Sequence, residues 1–181
     1  MNVKKPEDPF RLICKTDITM NAIDPNHWNQ ETSRQARFKI HKDTKTILLR
    51  FRDKMSRAKD DKFSIKDYPL MNDYREKIQL YIDLLSKYYK ISDYCAIIAK
   101  LIPNGVIPPH RDKGAYFDKS HRIHIPLKTN KDVNFRIGRI MVNMELGSAY
   151  EINNTRCVHG VRNNSSADRH HLIFDLFEDL I

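Results

Sequence analysis

The chain has 181 residues, of which 40% are hydrophobic, enough to build one sizeable core. Its formal charge is +9, from 32 Lys and Arg against 23 Asp and Glu. Basic and acidic residues are interleaved rather than segregated, which argues against a nucleic-acid partner, although the charge keeps that partner open as an alternative. The most apolar stretch, CAIIAKLI, is too short to span a membrane. We therefore expect a soluble protein with no membrane partner.

The cysteines argue against a disulfide framework. Cys14, Cys95 and Cys157 are an odd number, are widely spaced and form no CxxC pair. This pattern is typical of buried thiols in a reducing compartment, so the cytoplasm is the expected location.

The N-terminal third predicts short strands separated by polar connections. RLICK, ARFKI and KTILLRF are the candidate strands, with a loop through DPNHW between the first two. The nearly continuous apolar run in TILLRF indicates a strand that is covered on both faces. The charge-dense segment that follows predicts an exposed loop, and whether residues 52–68 form a lid is left open.

One helix is predicted, over the segment NDYREKIQLYIDLLSKYYK. The residues that define its buried face recur at steps of three and four: Tyr74, Ile78, Tyr81, Leu85 and Tyr88. Asp73 is a candidate N-cap, with Glu76 three residues later completing a capping box.

The remainder of the chain predicts short strands: YCAIIAKLI, HRIHIPL, VNFRI, RIMVNMEL, SAYEI, RCVHGVRN and HHLIFDLF. Closely spaced strands after one long helix indicate a mainly β fold, an antiparallel sandwich or barrel with a flanking helix. We expect a single domain over residues 1–181, with its core at 94–177 and residues 10–92 supporting the sheet.

His110 and Asp112 follow a paired proline, and two residues that are two apart on an extended segment project to the same side. His159, on a neighbouring strand, would complete the facial arrangement of two histidines and one carboxylate used by non-haem Fe(II) oxygenases. A structural zinc site would instead close its coordination sphere and favour cysteine. Taken separately, His110 and Asp112 could belong to a charged turn, and His159 could be a core histidine.

Arg169 opens the strand RHHLIFDLF, where alternation places Arg169, His171 and Ile173 on one face. An inward arginine requires an anion, either a dicarboxylate cosubstrate or a structural salt bridge to Asp168 or Asp175. In HRIHIPL, Arg122 and His124 share a face in the same way, which predicts a positive pocket beside the metal.

The segment GSAYEINNTRCVHGVRNNSSADRHHLIFDLF, together with HRIHIPL and the upstream HRD, resembles the aspartyl/asparaginyl β-hydroxylase family of Fe(II)- and 2-oxoglutarate-dependent dioxygenases, including its small bacterial amino-acid (proline-type) hydroxylases. The resemblance covers about residues 94–177. It implies a double-stranded β-helix, the cupin-like jelly roll, in which the catalytic residues His110, Asp112 and His159 hold the iron. Arg169 would bind the distal carboxylate of 2-oxoglutarate, and Arg122 and His124 match the family's R-x-H element beside cosubstrate and substrate.

The resemblance also implies an activity, namely hydroxylation of an unactivated C–H bond in an amino acid, free or in a peptide, with Fe(II), 2-oxoglutarate and O2. Two alternatives stay open: a nucleic-acid-directed dioxygenase (demethylase), and a non-enzymatic metal- or ligand-binding module of cupin type. The sequence leaves the substrate and the oligomeric state undetermined.

Overall fold

Two antiparallel sheets account for the strands of this computed structural model, which describes residues 6–20, 22–30, 39–53 and 64–178. The larger sheet has seven strands in the order β1-β9-β6-β11-β4-β2-β3. Its strands are β1 Phe10–Lys15, β2 Thr44–Arg52, β3 Ile65–Asp67, β4 Asp93–Leu101, β6 His121–Lys128, β9 Ser148–Ile152 and β11 Arg169–Phe177.

The smaller sheet has four strands in the order β5-β10-β7-β8. Its strands are β5 Val106–His110, β7 Val133–Ile137, β8 Ile140–Val142 and β10 His159–Asn163. The helices are α1 Met71–Leu85 and the single turn α2 Ala115–Asp118, preceded by two 3-10 segments at Pro25–Asn29 and Lys39–His41. Within the described ranges, the helices are too short or too polar to cross a membrane.

The larger sheet is buried on both faces at its centre, which explains the continuous apolar runs of its strands. Ile47, Ile98, Leu172 and Ile125 lie in one cross-strand row through β2, β4, β11 and β6, and all four are almost fully buried. This row faces α1 and forms the main hydrophobic core. The opposite face of the larger sheet packs on the smaller sheet, where Tyr150 and Ile152 contact Val133 and Phe135.

The predicted buried face of α1 is confirmed at four of its five positions. Tyr74, Ile78, Tyr81 and Leu85 are buried, whereas Tyr88 is 52% exposed. The prediction for Tyr88 is wrong because the helix ends at Leu85, and Tyr89 is buried instead.

The predicted helix cap is also wrong. The helix begins at Met71, so Asp73 lies inside its first turn, and the N-cap position is occupied by Leu70 without a side-chain cap. Asp73 is still placed favourably, since a carboxylate in the first turn complements the helix dipole.

Three N-terminal predictions need correction. DPNHW is not an open loop, because Pro25–Asn29 forms a 3-10 turn capped by the Asp24 side chain. In ARFKI, residues 36–38 lie outside the described residues, and the part that is described belongs to the 3-10 segment rather than to a strand. The predicted loop at 52–68 is described only in part, and Ile65–Asp67 within it pairs with β2 as an edge strand.

Candidate active site

Two strands and one loop bring His110, Asp112 and His159 together. His110 ends β5, and His159 begins β10 directly opposite it in the antiparallel register. Their ring centroids are 4.3 Å apart, and Asp112 lies beside both, with carboxylate oxygens 3.7 Å from His110 Nε2 and 3.8 Å from His159 Nε2. One ligand atom from each residue lies within 4.8 Å of the others, which is close enough to hold one metal ion.

Hydrogen bonds to the backbone orient both imidazoles. His110 Nδ1 donates to the Pro108 carbonyl at 2.8 Å, and His159 Nδ1 donates to the Cys157 carbonyl at 3.3 Å. Because a carbonyl oxygen only accepts, each Nδ1 carries the proton and each Nε2 keeps its lone pair free. This arrangement, in which the second nitrogen donates to a carbonyl, is the usual one for histidines that bind a metal through Nε2.

The protonation states suit metal binding as well. Burial lowers the pKa of His159 to about 4, so its ring is neutral near pH 7. Burial alone would raise the pKa of Asp112, but the charge of Arg122 and the Asn154 amide outweigh it and hold that pKa below its ordinary value. A neutral His159 imidazole and an ionised Asp112 carboxylate are the forms in which these groups bind a divalent transition metal, so the residues present fit such an ion.

An open cleft extends from this cluster between the two sheets, with about 570 Å³ of empty space, part of it open to solvent. Its lining also includes three polar side chains from the N-terminal region: His41, Thr44 and Thr46. Alternation along β2 was a usable signal for the two threonines, because they lie on the face opposite the buried Ile47.

Arg169 also lines the cleft, and it is only 3% exposed. Neither carboxylate considered for a structural salt bridge contacts it: Asp168 lies near Lys100, and Asp175 binds Arg122. Arg169 Nη2 donates to His171 Nδ1 at 2.9 Å, while its Nε is buried without a hydrogen-bond partner. Burial lowers the pKa of Arg169 to about 9, which reflects a buried cation that lacks a counter-ion.

His124 and Phe135 also line the cleft, and their rings contact each other. The Phe135 ring stacks on His159 at 6.3 Å between centroids and meets His124 edge-on at 5.7 Å. Both nitrogens of His124 are buried without partners, and burial, together with the nearby charges of Arg169 and Arg122, holds its pKa well below the ordinary value. His124 is therefore a neutral ring with unused hydrogen-bonding capacity at the cleft wall.

Arg122 lines the same cleft, but its guanidinium already contacts carboxylates. Nη1 donates to Asp112 Oδ2 at 2.6 Å, and Nε and Nη2 donate to the two oxygens of Asp175 at 2.8 Å each. The positive pocket expected from Arg122 and Arg169 is therefore partly neutralised on the Arg122 side. The sequence prediction did not include Asp175 or Asn154 among the site residues, and Asn154 donates to Asp112 Oδ2 at 2.8 Å.

The fold and the cleft define the class: a double-stranded β-helix, as expected, with a candidate metal site at one end of its interior. The model of the family described as aspartyl/asparaginyl beta-hydroxylase matches residues 62–179. The chain belongs to this family, and it is an oxygenase enzyme. No curated protein matches the chain significantly.

Solved structures resemble the fold at low sequence identity. An oxidoreductase of the 2OG-Fe(II) oxygenase family from Burkholderia pseudomallei is 14% identical, with a TM-score of 0.55 over 96% of this chain and 86% of that one. A prolyl-4-hydroxylase from Pseudomonas putida is 12% identical, with a TM-score of 0.46 over 75% and 72% of the two chains. A cupin domain from Bordetella pertussis is 14% identical, with a TM-score of 0.36 over 46% and 80%.

Proposed function

We propose that the protein is an Fe(II)- and 2-oxoglutarate-dependent hydroxylase that acts on an unactivated C–H bond of an amino acid, free or within a peptide. The observation that carries the proposal is the convergence of His110, Asp112 and His159, with ligand atoms within 4.8 Å of one another. Three protein ligands on one face suit Fe(II) and leave positions for a chelating cosubstrate and O2. The balanced reaction consumes 2-oxoglutarate, O2 and R–H, and yields succinate, CO2 and R–OH.

In this proposal the three ligands hold the iron, which, when bound, supplies the oxidising chemistry. The side chains of the chain itself bind and orient the reactants. Phe135 and the apolar cleft wall keep water away from the reacting centre, and the carbonyl contacts of His110 and His159 keep their Nε2 atoms aimed at one point.

Arg169 is proposed to bind the distal carboxylate of 2-oxoglutarate. Its guanidinium is buried at the cleft wall, has no carboxylate partner among the described residues and offers a planar fork of donors that matches a carboxylate. His124, with two unpartnered nitrogens, and Arg122 are proposed to lie beside the cosubstrate.

An amino-acid substrate is supported by the family. A nucleic-acid demethylase and a non-enzymatic cupin-type module become outcomes of the test. Residues 1–181 are proposed to form one domain. The three cysteines are free, which is consistent with the proposed cytoplasmic location.

A screen for succinate release tests the proposal. The purified protein is incubated with Fe(II), 2-oxoglutarate and O2, and each amino acid or peptide is scored by the succinate formed and by a mass gain of 16 Da, one oxygen atom. We expect one chemical class of amino acid to stimulate succinate release and to gain the oxygen. The Asp112→Ala variant is the matched control and should release none.

The same screen includes methylated oligonucleotides. Succinate release with these alone would replace the amino-acid substrate by a nucleic acid. No succinate under any condition, from a protein shown to contain iron, would overturn the enzymatic proposal in favour of a binding module.

A further inference from the structure

A chain of buried polar contacts runs from Asp112 away from the cleft. Asp112 Oδ2 accepts from Arg122 Nη1 at 2.6 Å, and Arg122 contacts both oxygens of Asp175 at 2.8 Å. Asp175 Oδ2 also accepts from the Tyr116 hydroxyl at 2.6 Å. Asp175 is 3% exposed and Tyr116 is 4% exposed, so water does not compete for these contacts.

The sheet register creates this chain. Arg122 on β6 and Asp175 on β11 are direct cross-strand partners, so their side chains leave the same face of the sheet at the same level. The short helix α2 places Tyr116 against Asp175 and Phe117 over the guanidinium, whose central carbon lies 4.7 Å from the Phe117 ring centroid. Arg122 is thereby fixed from three sides.

The charges of this chain bear on metal binding. Arg122 contributes one positive charge and lies between two carboxylates, so Asp112, Arg122 and Asp175 together carry a net charge of −1. Without the carboxylate of Asp175 the sum would be zero, and the charge of Arg122 would be balanced by the metal ligand Asp112 alone. The negative charge that attracts a divalent ion to the site would then be smaller. Metal affinity would fall because charges interact strongly in a buried setting.

The contacts also fix the orientation of the carboxylate. Asp112 Oδ2 accepts from Arg122 and Asn154 and lies 3.8 Å from His159 Nε2, while Oδ1 lies 3.7 Å from His110 Nε2. The carboxylate is therefore held in one orientation beside both imidazoles, as outer hydrogen-bond partners do for metal ligands.

We infer that Asp175 is a positioning residue of the metal centre: together with Tyr116 it fixes and neutralises Arg122, which in turn holds Asp112 in its ligating orientation. The inference rests on the proposed function, because it takes His110, Asp112 and His159 as metal ligands. Arg122 then orients the carboxylate of Asp112, in addition to any contact that it makes with the cosubstrate.

The first test measures Ni(II) binding to the purified protein by titration calorimetry, with neither cosubstrate nor substrate present. Ni(II) is chosen because nitrogen and oxygen sites bind it more tightly than Fe(II), so weakened sites remain measurable. We expect Asp175→Asn to weaken Ni(II) binding by roughly 5- to 10-fold, less than the loss of a direct outer partner of a metal ligand, because Asp175 acts on Asp112 only through Arg122. Asp93→Asn, which removes the partner of Arg50 elsewhere in the sheet, should leave the affinity unchanged.

The second test asks whether Asp175 acts through Asp112. Asp175→Asn is repeated in an Asp112→Ala background, where two imidazoles remain as ligands. If Asp175 positions Asp112, the substitution should cause little further loss, because the group it positions is gone. An equal loss in both backgrounds would mean that Asp175 acts through the general fold, and would overturn the inference.

Each failure has a separate signature. If the wild-type protein does not bind Ni(II), the metal centre of the proposed function fails. If the wild type binds it and Asp175→Asn binds it equally well, only the role of Asp175 fails.

Should Asp175→Asn not fold, as judged by circular dichroism, Tyr116→Phe removes one hydrogen bond to Asp175 at little cost in packing. It is expected to weaken binding by a smaller factor, and unchanged binding would overturn the inference.

Discussion

His110 and His159 lie directly opposite each other in adjacent antiparallel strands, with their ring centroids 4.3 Å apart. This pairing makes the metal site a property of the β5–β10 register rather than of a flexible loop. The register shifts by one residue immediately after His159, so the contact between the two strands is irregular where the imidazoles meet. Residues that control how closely β5 approaches β10 therefore control the site.

Gly160 is such a residue. A Cβ at this position would lie 2.9 Å from the Ile107 carbonyl oxygen and 3.1 Å from the Pro109 nitrogen, both of which are backbone atoms of β5. We expect Gly160→Ala to push β5 away, to lower the free energy of unfolding by about 1–3 kcal/mol, and to weaken metal binding. Urea unfolding and metal titration measure the two effects.

A control variant distinguishes the crowding of β5 by Gly160→Ala from a general loss of stability. Val161→Ala, one residue along β10, removes buried apolar volume without crowding β5. We expect it to destabilise the fold but to leave metal affinity nearly unchanged. Equal metal affinities in Gly160→Ala and the wild type would show that the strand separation does not govern the site.

Replacing Arg169 by an apolar residue should stabilise the ligand-free fold but weaken cosubstrate binding. Its charge is buried without a carboxylate partner, so replacing it by an apolar side chain of similar length removes a desolvation cost. We expect Arg169→Met to raise the free energy of unfolding of the ligand-free protein by about 1 kcal/mol. The same substitution should weaken 2-oxoglutarate binding by at least 100-fold, about 3 kcal/mol.

Arg50 provides the control for Arg169. It forms ion pairs with Asp67 and Asp93, each at 2.8 Å, so Arg50→Met removes the ion pair of Asp93 and leaves Asp67 with Arg75 alone. We expect this variant to be less stable than the wild type and to bind 2-oxoglutarate normally. A loss of stability in Arg169→Met comparable to that in Arg50→Met would mean that Arg169 has a structural rather than a ligand-binding role.

Strand alternation predicted which side chains share a face but not which residues pair across strands. Strand alternation put Arg169 and His171 on one face, and both are buried, with His171 accepting from Arg169. It could not show that Asp175 lies opposite Arg122, because cross-strand register depends on turns and bulges that a linear pattern does not encode. The error at Tyr88 has a similar origin, since a period of 3.6 residues holds only while the helix continues.

Glu151 anchors a second buried network, on the side of the larger sheet away from the cleft. It is fully buried and accepts from His121 at 2.6 Å, from Arg11 at 2.6 Å and from Tyr89 at 3.0 Å. We expect Glu151→Gln to lower the free energy of unfolding by about 1–3 kcal/mol, because it removes the charge of a fully buried carboxylate that accepts from three side chains, of which Arg11 is half exposed. Metal affinity should not change.

Glu145 is the control for Glu151. Its ion pair with Lys15 also joins a glutamate to a basic residue of β1, but both side chains are largely exposed. Exposed ion pairs contribute little, so Glu145→Gln should alter stability by less than about 0.5 kcal/mol. Similar losses in the two variants would indicate that burial of Glu151 does not strengthen its interactions.

His170 should make the fold sensitive to mild acid. Burial is the main cause that lowers its pKa to about 4, from an ordinary value of 6.5. Between these two values the unfolded chain binds a proton that the folded chain does not, so the free energy of unfolding falls as the pH falls, by at most about 1.4 kcal/mol per pH unit. His170→Gln removes this proton uptake and should flatten the dependence of stability on pH between about 6.5 and 4.

The chain's single tryptophan, Trp28, packs 4.9 Å from the His170 ring, so its fluorescence during urea unfolding reports the transition at each pH. An unchanged slope in His170→Gln would assign the acid sensitivity to the other buried imidazoles, His124, His159 and His171, whose pKa values burial also lowers.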